Sequence, residues 1–393
     1  MNPTLCATPS LPERKAEETG AVGPTGLDLF TRELSALKQR ATASMSMADF
    51  RHMRRLELIG RCCTLLGFAT AWIVINPISV VLIAMGMLTR WLLAHHICHG
   101  GYDGIEGIPA RYTSRVFARG WRRFVDWFDW MHPDAWRYEH DFLHHYYTGE
   151  DRDPDLVERN AILLRKIRVP KILKYITLFV VAITWKFSYY AANTLNGLEG
   201  KKHFRDLTGH HNFINLANFC DLRMPLVRKL WFSCWLPNVA FHFLLVPALF
   251  LPLGKEAWLS VLVCRIAAEL LHNLHMFVII VTNHAGDDVM RFDFHYTDKK
   301  NFYVNQVLGS VNFHTGKEWL DFSQMWLNYQ IEHHLFPRLS MLKYREIQPE
   351  VKALCERHGV TYIQENVFRR LRKLTDICVG NTSMPRMDRP GNG

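Results

Sequence analysis

Residues 77–99 read PISVVLIAMGMLTRWLLAHHICH, and this stretch decides the fold. From Ile78 to Ala94 the run is apolar, with one charge at Arg90. At ~1.5 Å per residue it spans about 25 Å, slightly short of a ~30 Å hydrocarbon core. It predicts a membrane helix, with Arg90 snorkelling to the interface. The helix closes on His95-His96-Ile97-Cys98-His99. Residues four apart share a helix face, so His95 and His99 point together and His96 does not.

Two further clusters repeat the pattern: His140-Asp141-Phe142-Leu143-His144-His145 and Gln330-Ile331-Glu332-His333-His334. The same spacing groups His140 with His144, and Gln330 with His333 and His334. Neutral imidazole is a ligand for iron, copper, nickel and zinc. One such pair among 20 His would mean little. Three clusters, each beside an apolar segment, supply more imidazoles than one ion needs. They read as a two-metal site.

Composition bounds the rest. Hydrophobic content of 49% over 393 residues fits either a large soluble protein or a membrane protein with a polar cap. Apolar runs gathered at about 59–94 and 230–283 favour the second. A net charge of +10 suits a cytoplasmic cap lying against anionic lipid headgroups. With no basic stripe or recognition motif, no nucleic-acid partner is expected. Nine Cys without a C-x-x-C pair point to reduced thiols. Residues 1–50 read as a disordered tail plus a short amphipathic helix, Leu27 to Arg40, with Leu29, Phe30, Leu34 and Leu37 on one face. Residues 51–372 form the membrane domain, and 373–393 a flexible tail.

The expected architecture is an all-α integral membrane protein with four transmembrane helices in two hairpins and a cytoplasmic helical cap. The first hairpin runs from Leu58 to Ile75, turns at Asn76-Pro77 and returns from Ile78 to Ala94. Apolar segments follow at about 171–192, 230–253 and 257–283, and His284 closes the last. If all clusters meet on one side, an even number of crossings separates His145 from His284. Segment 171–192, flanked or interrupted by Lys171, Lys174, Lys186, Tyr189 and Tyr190, is assigned to the interface. Active site and both termini are then cytoplasmic. Trp121, Trp127, Trp130 and Trp136 suit the headgroup layer or the cap core equally.

The expected ligands are His95, His99, His140, His144, His145, His284, His333 and His334. Gln330 holds a ninth position, where its amide oxygen binds weakly or holds a water. His272 and His275 lie deeper in their helix and are expected to support rather than ligate. His203, His210, His211, His242 and His314 are not expected to ligate. A zinc hydrolase of the H-E-x-x-H kind needs Glu beside its first ligand, where this chain has His96. Ferritin-like sites use carboxylate ligands, but Glu139 and Glu332 point off the histidine face. An all-imidazole iron pair beside a membrane suits O₂ activation and hydrogen abstraction from an apolar C–H bond. No catalytic group beyond the ligands is expected; Asp103, Trp136, Arg137 and Asn328 read as structural neighbours.

These residues resemble the integral-membrane fatty acid desaturase family. QIEHHLFP at 330–337 and VKALCERHGVTY at 351–362 are similar to front-end acyl and sphingolipid desaturases, in which Gln replaces the first His of the third box. The resemblance covers roughly residues 60–372. It implies two iron ions, O₂ as co-substrate, and insertion of a double bond into an acyl chain with two external electrons per turnover. It implies an acyl-lipid or acyl-CoA substrate and a location in plasma membrane or endoplasmic reticulum. Two departures stand out. Three residues separate His140 from His144 where many relatives have two, which makes His140 the least secure of its set. The chain also carries no His-Pro-Gly-Gly haem motif, so electrons are expected from a separate ferredoxin or cytochrome b5. A lipid hydroxylase on the same scaffold and a non-catalytic membrane metal-binding protein are the alternatives.

Overall fold

The computed structural model describes residues 24–200, 213–295 and 298–387. The fold is helical, and its first hairpin shows how the sequence sets it. Helix α1, Pro24–Ala43, extends the expected amphipathic segment at both ends. Phe30, Leu34 and Leu37 are buried against the rest of the chain, while Leu29 faces out.

Helix α2, Met47–Ala71, starts well before the expected Leu58, because Ser46 and Asp49 form a reciprocal capping box there. Arg51, Arg54, Arg55 and Glu57 disguise this start, since their polarity hides the first turns from a hydropathy reading. The expected boundary at residue 50 therefore falls inside a helix. The chain then turns, and Asn76 caps α3, Pro77–Cys98, by accepting from the Ser79 amide at 2.8 Å. Glycines let α2 and α3 touch. A Cβ on Gly86 would lie 2.0 Å from Thr64 Oγ1, and one on Gly60 2.5 Å from Thr89 Cβ. Small residues at a membrane-helix seam permit this approach. Gly86→Val is expected to lower stability by about 1–3 kcal/mol through overpacking, read as a lower melting temperature in detergent.

Helix α4 crosses residues 133–147. Helices α5, Lys171–Ile183, and α6, Lys186–Glu199, meet at an 83° bend, the mark of a broken span or a re-entrant loop. Helices α7, Pro225–Leu253, and α8, Lys255–His284, follow. Among the described residues α3, α7 and α8 are long and apolar enough to cross a membrane. The expected span at 58–75 does not join them, because α2 carries its charges inside the same helix.

At the α5–α6 bend, Lys186 Nζ lies 3.1 Å from Asp129 and 3.0 Å from Glu269 of α8. Arg265 reaches the other oxygen of Glu269 at 2.8 Å. The Trp130 indole N–H and the Asn273 amide both donate to Glu269, each at 2.9 Å. Each charge is thus paired, as burial requires.

The cap is completed by α9, Gln330–Leu335, α10, Met341–Arg357, and α11, Val367–Val379. The expected boundary at residue 372 falls inside α11, whose Leu374, Ile377 and Cys378 are buried. Beyond it, Arg386–Met387 pairs in parallel with Arg291–Phe292. Trp127, Trp130 and Trp136 are core residues, whereas Trp121 is 70% exposed. All eight described cysteines are free.

Candidate metal centre

Four elements converge at one end of the long helices. The last turn of α3 supplies His95 and His99, α4 supplies His140, His144 and His145, α8 ends in His284, and α9 carries Gln330, His333 and His334. All nine residues are buried. Their nitrogens form two groups, one of His95, His99, His140, His145 and His333, the other of His144, His284 and His334. Within each group one ring nitrogen per residue lies within 4.8 Å of all the others. A third grouping, His140 and His144 with Asp155, overlaps both.

Local geometry explains how α4 delivers three rings. In a regular α-helix His140 and His145 would point about 140° apart at ~3.6 residues per turn. Residues Tyr138–His144 instead form a π-helix, and the His145 N–H bonds to the His140 carbonyl five residues back. This wider turn brings His140, His144 and His145 onto one face. The spacing that made His140 doubtful is what the wider turn takes up: His140 Nε2 lies 3.0 Å from His95 Nε2.

Five of the eight rings have Nδ1 held by an acceptor. His144 faces Asp153 at 2.9 Å, His99 faces Asp141 at 3.0 Å, and His334 donates to Gln306 Oε1 at 2.9 Å. His284 donates to the Gly309 carbonyl at 2.9 Å. His333 donates to the Tyr344 hydroxyl at 3.1 Å, which in turn donates to the Phe336 carbonyl. With the proton on Nδ1, Nε2 keeps its lone pair, the form that binds metal. Burial holds the pKa of His140, His145, His333 and His334 well below the usual imidazole range, and neighbouring rings add to the effect. Burial also disfavours charge on His144, but the Asp153 carboxylate outweighs it and raises that pKa.

Several of the lone pairs have no partner. His333 Nε2, His334 Nε2, both nitrogens of His145 and the Gln330 oxygen are buried without a hydrogen-bond partner among the described residues. His99 Nε2 also lies 3.2 Å from His95 Nε2. Lone pairs crowded in a dry pocket are unfavourable unless a cation sits among them. The residues present therefore fit metal ions. Gln330 stands beside the second group, its Nε2 2.8 Å from His284 Nε2.

His96 is buried but lies outside both groups, in keeping with its place off the His95/His99 face. His275 contacts the Ser323 carbonyl, and His272 lies buried near Lys186 and Glu269. His242 and His314 also lie outside both groups, and His203, His210 and His211 lie outside the described residues. Glu332 accepts from Asn312 and Tyr362, and Glu139 from Asn193, so both turn away from the rings. Of the expected neighbours, Trp136 stacks on His140 at 4.7 Å. Arg137 donates to the Ser114 and Phe117 carbonyls, Asp103 accepts from Ser114, and Asn328 donates to Asp321.

Helical spacing assigns no role to Asp141, Asp153, Gln306 or Tyr344. Asp141 sits between ligand candidates and had a visible signal; the other three approach only through the fold. Asp153→Asn is expected to weaken metal binding about 10–100-fold, the usual cost of losing a carboxylate behind a ligating His. Metal content after dialysis against a graded chelator series checks this.

Apolar spans closed at one end by two histidine groups define a class: helical membrane proteins with an all-imidazole centre. The family model described as fatty acid desaturase matches residues 70–366, and the chain belongs to that family. It is a desaturase, an oxidoreductase of lipid metabolism. An NADPH-dependent stearoyl-CoA 9-desaturase of Mycobacterium tuberculosis is 24% identical over 86% of this chain and 75% of its own length. An acyl-lipid (8-3)-desaturase of Rebecca salina is 29% identical over 28% of this chain and 25% of its own. An acyl-lipid (9-3)-desaturase of Borago officinalis is 27% identical over 29% and 27%.

Proposed function

We propose that this chain is a di-iron, O₂-dependent desaturase that introduces a double bond into the acyl chain of a lipid or acyl thioester. The observation that carries the reading is the pair of adjacent, buried, all-histidine groups, several of whose lone pairs have no partner. His95, His99, His140, His145 and His333 would hold one iron, and His144, His284 and His334 the other, with Gln330 beside it. When bound, the irons supply O₂ reduction and an oxidant strong enough to take hydrogen from a methylene. The chain's own residues do the rest. Asp141, Asp153, Gln306, Tyr344 and the Gly309 carbonyl fix the ring tautomers and orientations. Trp91 and Trp136, both buried and packed against His95, keep water from that side.

The proposed topology has four crossings, with α2 and α3 as one hairpin, α7 and α8 as the other, and α5–α6 re-entrant. The 83° bend and the shared location of His99, His145 and His284 support an even number of crossings between the clusters. The cap and both termini then face the cytoplasm, in plasma membrane or endoplasmic reticulum. Electrons come from a separate ferredoxin or cytochrome b5, which a basic chain would attract if acidic. The Mycobacterium relative's name favours a CoA thioester, and the acyl-lipid relatives favour a lipid-linked chain.

Expression in a host of defined lipid profile tests the reading. Desaturation appears as loss of two hydrogens from one acyl species, without oxygen gained. Gain of one oxygen atom instead would assign a hydroxylase. Iron-loaded protein that consumes no O₂ under any reductant would exclude both.

A further inference from the structure

A second cavity of about 180 Å³ opens where α2 and α3 meet residues 111–126 of the cap. It shares no residue with the two histidine groups. Its charged lining is Arg61, Arg90, Arg111 and Arg122 against Glu57 and Asp126. Both carboxylates are already engaged. Glu57 accepts from Arg54, from Arg61 and, at 2.9 Å, from the Tyr112 hydroxyl. Asp126 takes a two-pronged contact from Arg122 at 2.9 and 2.8 Å and the Ala118 amide at 3.0 Å.

Arg90 and Arg111 are different. Among the described residues Arg90 reaches only the Val125 carbonyl, at 3.4 Å, and Arg111 reaches the Tyr112 hydroxyl at 3.0 Å. Neither has a carboxylate partner there. The cavity thus carries two guanidinium groups with open donors and an excess of positive charge. The rest of the lining is mixed: Thr64, Thr89 and Tyr112 are polar, and Leu93, Ile97, Phe117 and Val125 form an apolar side. Beside it Trp121 and Phe124 are exposed, as an interfacial lip would be. The C-terminal half of α3 places the cavity toward the histidine end of the helix, which the proposed topology puts near the headgroups.

We propose that this cavity binds the phosphate of a phosphate-bearing lipid amphiphile, with the acyl part lying over the apolar wall. Guanidinium donors match phosphate oxygens in a paired geometry, and a volume equal to several waters (~30 Å³ each) accommodates one phosphate ester. A membrane phospholipid and an acyl-CoA present the same chemistry, so both are probes.

The test uses the full chain, metal-free, in neutral detergent, titrated with phosphatidylglycerol, stearoyl-CoA and diacylglycerol and read by native mass spectrometry. Tight retention of phosphatidylglycerol alone assigns a phospholipid headgroup site, and retention of stearoyl-CoA assigns an acyl-donor site. In either case Arg90→Gln with Arg111→Gln should weaken binding at least tenfold without changing the melting temperature, and Arg90→Lys should restore part of it. Added salt should weaken binding as well. Equal retention of diacylglycerol, or unchanged binding by the double variant, overturns the proposal. Because no metal or turnover enters the measurement, the outcome is independent of the desaturase reading.

Discussion

Replacing His144 and His145 together by alanine is expected to leave the protein folded, free of iron and without product. The pair touches both histidine groups at once. His144 belongs with His284 and His334, and His145 with His95, His99, His140 and His333. The His145 ring also stacks on His334 at 4.2 Å, so its loss opens the wall between the groups. Loss of one carboxylate behind a ligand costs about 10–100-fold, so loss of two rings should cost more than about 100-fold in metal affinity. The fold should survive. His145 gives up no side-chain hydrogen bond. Asp153, deprived of His144, still accepts from the Gly149 and Asp155 amides at 3.0 and 2.9 Å. Iron analysis beside a melting curve checks the expectation. His96→Ala is the control and should retain its metal; a double variant with full iron content would remove the centre from these residues.

The second large effect lies away from the histidines. Lys186→Met is expected to destabilise the protein by about 3–5 kcal/mol, the usual cost of stripping one partner from a buried ion pair. Among the described residues Lys186 is the one cation ion-paired with Asp129, and it shares Glu269 with Arg265. Removing it leaves the Asp129 carboxylate buried with a single hydrogen bond, from the Trp130 amide. The site also pins the bend between α5 and α6, so local opening should accompany the loss. Thermal unfolding in detergent and proteolysis near residues 184–190 read the two effects. A variant melting within a degree of the parent would show that these charges are solvated after all.

Much of this was legible from spacing alone. The pairs His95 and His99, and His333 and His334 with Gln330, follow from helical periodicity, and α8 ends at His284 where the apolar run stops. What periodicity could not show falls into two kinds. Helix starts set by caps are invisible to hydropathy, which is why α2 begins at Met47 and not at Leu58. Partners brought by long-range folding leave no local mark: Tyr344 and Gln306 sit in helices whose own patterns are ordinary. Lys186 was legible as an interruption in an apolar run, but not as the group that pairs Asp129 with Glu269.

The π-helix at Tyr138–His144 bears on how such chains are found and altered. Its wide winding takes up the third residue between His140 and His144 within a single turn. A search keyed to a two-residue histidine spacing would pass this chain over, although its imidazoles still gather in two groups. Conversely, deleting exposed Phe142 would shorten the box to the commoner length and remove the need for the wide turn. Box length and backbone winding are then a matched pair, free to vary only together.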